Sequence, residues 1–87
     1  IIEADGERMR SRLRVARSDD RLFLHSCFPT EQEDSVFLGP DSYRFVAFLQ
    51  RELPRRPNIH RLVDIGAGAG VGALMAAPYL PGARLTL

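Results

Sequence analysis

The 87-residue chain contains no lysine: all 12 of its basic residues are arginines. A Walker-type phosphate loop needs a lysine to reach the β- and γ-phosphates, so nucleotide hydrolases and kinases of that class are excluded. Cysteine is nearly absent too. Cys27 stands alone, which leaves no internal disulfide and no zinc site built from several cysteines, and agrees with a reducing compartment. His25 and His60 do not complete a metal-ligand spacing with it. No Ser-His-Asp arrangement and no pair of catalytic carboxylates can be assembled, so hydrolase chemistry falls away. No apolar run approaches the roughly 20 residues that cross a bilayer, and no targeting segment is recognisable, so the expected location is the cytoplasm with no membrane partner.

What remains is the composition of a soluble globular chain, with 45% hydrophobic and 26% charged residues. The net charge of +1 is too small to imply a polyanionic partner by itself. Six of the arginines lie between Arg8 and Arg21. From Arg8 to Val15 the residues alternate strictly, with Arg8, Arg10, Arg12 and Arg14 on one side and Met9, Ser11, Leu13 and Val15 on the other. A period of two predicts a strand. Arg17-Ser18-Asp19-Asp20 supplies a turn, and Arg21 to Phe28 supplies a partner, so the expectation is one antiparallel hairpin with a basic outer face and an apolar inner face. A basic stripe of this kind could also track a phosphate backbone, which keeps open a non-catalytic nucleic-acid-binding module.

Pro29 to Ser35 is an acidic loop, and Val36-Phe37-Leu38-Gly39-Pro40 a connector. Asp41 or Ser42 then caps a predicted helix over about residues 41–53, whose apolar positions are Phe45, Val46, Leu49 and Leu53. Arg61 to Ile65 is apolar enough for a strand buried on both faces. It runs into glycines at positions 66, 68, 70 and 72, a short helical segment from Val71 to Ala77, and a second strand opening at Leu85. Strand, glycine loop, helix and strand make a βαβ unit. The predicted fold class is therefore α/β: the start of a Rossmann-like doubly wound sheet, preceded by a β-hairpin and a helix. Residues 1–58 form the N-terminal part and residues 59–87 the first βαβ, an incomplete domain. The chain opens on Ile1-Ile2 and ends on Arg84-Leu85-Thr86-Leu87, which reads as a strand in progress and hence as a fragment. The first strand of such a sheet would have a neighbour on one side only. Val63 and Ile65 would line an open edge, and self-association through it is expected.

Glycines at alternate positions let the backbone take positive φ and let a ligand approach the main chain without an intervening Cβ. Two cofactor classes use such a loop. Gly68-Ala69-Gly70-Val71-Gly72-Ala73 satisfies the G-x-G-x-x-A pattern of a dinucleotide site, as in an NAD(P)-dependent oxidoreductase. Asp64 opposes that reading: a carboxylate about 4 Å from a pyrophosphate charge repels it by roughly 4 kcal/mol at an effective dielectric near 20. S-adenosylmethionine carries an ammonium, a sulfonium and no phosphate, so the same carboxylate attracts it. A third role for Asp64 is to cap the glycine turn through its own side chain.

Asp64-Ile65-Gly66-Ala67-Gly68-Ala69-Gly70 resembles motif I, D-x-G-x-G-x-G, of the class I S-adenosylmethionine-dependent methyltransferases, and Pro81-Gly82-Ala83-Arg84-Leu85-Thr86-Leu87 is similar to that family's entry into its second strand. Within the family the resemblance is closest to the HemK-like group, which methylates protein glutamine or adenine N6. There a Pro-containing segment precedes motif I, and Val36 to Tyr43 looks like it. The resemblance covers roughly the last 50 residues. It implies that Asp64, Gly66, Ala67, Gly68, Ala69 and Gly70, with Phe37, Pro40 and Tyr43, hold S-adenosylmethionine. It also implies that the acceptor is a release-factor-like protein or a nucleic acid, and that the ribose-gripping acid and the catalytic N-P-P-Y signature fall beyond Leu87. The family's N-terminal helical substrate domain is not visible in this chain.

Overall fold

The first strand runs only from Ile2 to Asp5, upstream of the arginine row (β1), and pairs antiparallel with Arg8–Ser11 (β2) in the computed structural model. The described residues are 2–27, 30, 32–33 and 35–87, with the side chain of Asp5 excepted. Phe28 at the predicted strand end, and Pro29, Glu31 and Asp34 of the acidic loop, lie outside them. Leu13–Ser18 (β3) and Arg21–Ser26 (β4) form a second antiparallel hairpin, closed by Asp19 and Asp20. Pro40–Glu52 is a helix (α1) continued by a 3-10 turn, Leu53–Arg55. Then come Arg61–Val63 (β5), Val71–Ala76 (α2) with a 3-10 turn over Ala77–Tyr79, and Arg84–Thr86 (β6). β5 and β6 are parallel and in register from Arg61↔Arg84 to Val63↔Thr86, so the strand–helix–strand unit expected from the sequence is present. The architecture is mixed α/β with three two-stranded sheets and two α-helices among the described residues.

The single hairpin expected from Arg8 to Phe28 is two. The alternating run breaks at Arg12 because the Ser11 hydroxyl turns back on its own backbone. It donates to the Leu13 carbonyl at 2.8 Å and accepts from the Leu13 N–H at 3.2 Å. Such a local bond competes with the ladder. Gly6, at φ +64°, lets the chain reverse after β1, so β2 finds a partner upstream.

The predicted facing is also reversed. Ala16↔Phe23 and Arg14↔His25 share the face that turns toward α1, where Phe23 is buried, while Val15↔Leu24 and Leu22 point outward and are 62–69% exposed. Phe23 joins Val46 of α1 and Val71 and Met75 of α2 in one core cluster, with Leu38 and Ala69 against it. A second cluster, Leu53, Ala76 and Leu80, packs with Leu49, Ile59, Leu62 and Ala83. Two polar bonds tie the hairpin to α1: Gln50 Nε2 donates to Asp19 at 2.8 Å, and Tyr43 Oη donates to the Arg17 carbonyl at 3.3 Å.

α1 starts one residue before the predicted boundary. Pro40 occupies its first position, where a missing N–H costs nothing. Gly39, not Asp41 or Ser42, is the capping residue, and Ser42 Oγ accepts from the Gly39 N–H at 3.3 Å. β5 is not buried on both faces. Leu62 is half-buried under the helices while Arg61 and Val63 are exposed, because among the described residues α1 and α2 cover one side only and β6 is its only neighbour. The surface is large to match. The chain exposes 6883 Å², against roughly 5,200 Å² for a folded monomer of its mass, and Ile65 alone is 92% exposed. No helix among the described residues is long and apolar enough to cross a membrane.

Candidate functional site

The segment between β5 and α2 is a fixed turn rather than a slack loop. Asp64 N–H donates to the Thr86 carbonyl at 2.8 Å, extending the parallel pairing one residue past β5. Gly70 N–H then donates to the Ala67 carbonyl at 2.8 Å, and Leu74 N–H to the Gly70 carbonyl at 3.0 Å, where α2 begins. Gly66, Gly68 and Gly70 take φ of +70°, +55° and +80°. An L-residue pays roughly 1–2 kcal/mol at each such position, so three in five residues explain the alternate spacing. Around Gly66 the space is open, with nothing within 4 Å of where a Cβ would stand. A Cβ on Gly68 would meet Val36 Cγ1 at 3.6 Å and the Phe37 carbonyl at 3.9 Å. The connector ahead of α1 thus lies against the loop, held there by two bonds to β4: Ser26 N–H to the Val36 carbonyl at 2.9 Å, and Val36 N–H to Ser26 Oγ at 2.8 Å.

Asp64 is half-buried, and its Oδ2 accepts from the N–H of Ala73, the third residue of α2, at 3.0 Å. Its Oδ1 has no hydrogen-bond partner among the described residues. The carboxylate therefore fastens the start of α2 to the end of β5, and its negative charge sits at the positive end of that helix. Gly72 makes the geometry possible. A Cβ there would stand 2.9 Å from Asp64 Oδ2 and 2.9 Å from Phe45 Cε1. Phe45, Leu49, Leu62, Val63, Asp64, Gly72 and Ala73 line an open, mostly apolar groove of about 180 Å³ beside the carboxylate. That is below the roughly 300 Å³ at which ligand pockets begin, so the groove could take part of a cofactor only.

The structure brings some of the sequence-predicted residues together and directs others elsewhere. Asp64, Gly66, Ala67, Gly68, Ala69 and Gly70 form the turn itself, with Ala69 packed against the first core cluster. Phe37 contributes its backbone to the Gly68 contact, while its ring lies where a Cβ on Gly39 would stand. Pro40 is exposed at the first position of α1. Tyr43 bonds to β3. Sequence reasoning misses Val36 and Phe45 as site residues, and it misses the clasp role of Gly72. A signal for Gly72 exists, because the alternate-glycine pattern runs one step past the turn into the helix.

Replacing Gly72 by alanine separates propensity from packing. Alanine is the better helix former by about 1 kcal/mol, yet its methyl would displace Asp64 Oδ2 or Phe45. The expected net result is a loss of about 1–3 kcal/mol in urea denaturation. Part of it should return in a Phe45→Ala background, where one of the two obstructions is gone. A Gly72→Ala protein more stable than wild type would mean that neither obstruction outweighs the gain in helix propensity. Comparison of the chain with protein-family models, with curated proteins and with solved structures gave no match.

Proposed function

We propose that the chain supplies the cofactor-holding turn of an S-adenosylmethionine-dependent methyltransferase acting on a nitrogen of a protein glutamine or of a nucleic-acid base, within a doubly wound sheet that continues from β5 and β6. The observation that carries this reading is the Asp64 carboxylate bonded across the glycine turn to Ala73 N–H.

The residues present fit such a cofactor. Gly66 leaves bare main chain that an extended ligand can lie along, beside Gly68, which packs against the connector at Val36. Asp64 keeps one oxygen for the turn and one for a cation. Phe45 and Leu62 give the adjoining groove an apolar wall. When bound, the cofactor supplies a methyl group activated as a sulfonium. The protein's part is positional: the hydrogen-bonded turn holds bound groups in one geometry, the main route by which a site without acid–base residues accelerates a transfer.

The dinucleotide reading loses ground on the same bond. A pyrophosphate uses the free amides at a helix start. Here the third amide of α2 is already taken by a carboxylate, whose charge would repel it. Isothermal titration of S-adenosylhomocysteine and, separately, NADH into the full chain discriminates the two. The expected result is micromolar binding of the first and no heat from the second. Binding of NADH alone would overturn the proposal in favour of an oxidoreductase.

A further inference from the structure

The unbalanced charge of the molecule lies at the opposite end of β5 from the glycine turn. Eight arginines and ten carboxylates precede Leu53, whereas four arginines and one carboxylate follow it. That carboxylate is Asp64, already engaged by α2. The four arginines are Arg55 and Arg56 at the end of the 3-10 turn, Arg61 at the first position of β5 and Arg84 at the first position of β6.

They are held on one rim by the core beneath them. Leu53, Ile59, Leu62 and Ala83 pack in a single cluster, and Arg84 N–H donates to the His60 carbonyl at 2.9 Å. Register partners on parallel strands stand about 4.8 Å apart and present side chains to the same face, so Arg61 and Arg84 are neighbours of like charge. All four arginines are exposed, and none has a carboxylate partner among the described residues. Like charges directly opposite each other in a sheet are destabilising. In the row from Arg8 to Arg14, by contrast, Arg10 pairs with Glu3 at 2.6 Å and Arg12 lies 3.9 Å from the same carboxylate.

We propose that this rim, and not the row from Arg8 to Arg14, is a binding surface for the phosphate backbone of a single nucleic-acid strand. The inference does not depend on the methyl-transfer reading. Two guanidinium forks one strand spacing apart can grip one phosphate from both sides, each bidentate, and the phosphate removes the repulsion between them. The rim offers no phenyl, phenol or indole ring among its described residues, and only the exposed His60 imidazole beside Arg61 on which a base could stack, so binding is nearly insensitive to sequence and steeply dependent on salt. It is also made of strand ends and a turn, not of an amphipathic helix with bulky apolar residues, which is what a lipid surface would require.

The test is fluorescence anisotropy of a labelled, mixed-sequence, single-stranded RNA with the full chain over a range of salt concentrations. In Arg61→Gln/Arg84→Gln the affinity should fall at least about tenfold at low salt, and the slope of log K against log salt should shrink by about 0.7, the value for the one phosphate the pair grips. Its melting temperature should stay level or rise, because a like-charge pair has been removed. Arg55→Gln/Arg56→Gln, outside the sheet, should weaken binding in the same direction even if the first variant folds poorly. Arg10→Gln/Arg12→Gln, at the two arginines held by Glu3, should bind as wild type. The proposal is overturned if RNA does not bind, if anionic phosphatidylserine vesicles bind in its place, if both rim variants keep wild-type affinity, or if the Arg10/Arg12 variant loses as much as they do.

Discussion

Truncating Phe23 to alanine is expected to cost about 3–5 kcal/mol in urea denaturation followed by far-ultraviolet circular dichroism. Phe23 is the one aromatic ring in the cluster that joins the second hairpin to both helices, through Val46, Val71 and Met75. A chain of 87 residues has a total stability of only about 4–13 kcal/mol, and one that exposes this much surface belongs at the low end. The variant should therefore be largely unfolded at temperatures where the wild type is folded. Val15→Ala is the matched comparison from the other face of the same hairpin. Val15 is 64% exposed, so its truncation should stay within about 0.5 kcal/mol of wild type. If Val15→Ala cost more than Phe23→Ala, the hairpin would be packed through its other face.

That comparison bears on what the sequence could and could not reveal. Both faces of the second hairpin carry apolar residues: Leu13, Val15, Leu22 and Leu24 on one, Ala16 and Phe23 on the other. Counting favours the first set, and alternation alone points to the face with more of them. The outcome is decided by a tertiary contact, because one phenyl ring fits between α1 and α2 while Val15, Leu22 and Leu24 of the other face are exposed. The break at Arg12 was hidden for a related reason. Arg8 to Val15 keeps perfect alternation through Ser11, and nothing in a period of two reports that this serine closes a bond onto Leu13. By contrast, α1, α2 and the start of β6 are legible to within a residue, while β5 ends two residues short of the expected Ile65. Their signals are local: proline at the helix start, apolar spacing at three to four, and glycines where φ must be positive. Within the site, the identity of Asp64 as the charged group of the turn could be read directly. Its bond to Ala73 could not, since it depends on how α2 tilts onto β5. The Val36 contact with Gly68 spans more than thirty residues and has no local signature at all.

Substitution of Asp64 should separate its two roles. Asp64→Asn would keep the size and an acceptor oxygen for Ala73 N–H while removing the charge, whereas Asp64→Ala removes both. The Asp64→Ala protein loses a helix-cap bond worth about 0.5–2 kcal/mol, at about 4–8 °C in Tm for each kcal/mol, and S-adenosylhomocysteine binding should be abolished. Asp64→Asn should melt much closer to wild type. Its affinity should still fall, because the attraction of a carboxylate for an ammonium, roughly 4 kcal/mol at ~4 Å and an effective dielectric near 20, is gone. Oδ2 is engaged and the site is partly open to water, so solvent screening reduces this to a loss on the order of a hundredfold rather than a thousandfold. The informative outcome is the asparagine variant, since it leaves the turn standing. Affinity down with Tm held means that the charge itself meets the ligand. Affinity unchanged in a stable Asp64→Asn protein would reduce Asp64 to the clasp of α2 and remove the electrostatic reason for preferring a cationic cofactor over a dinucleotide.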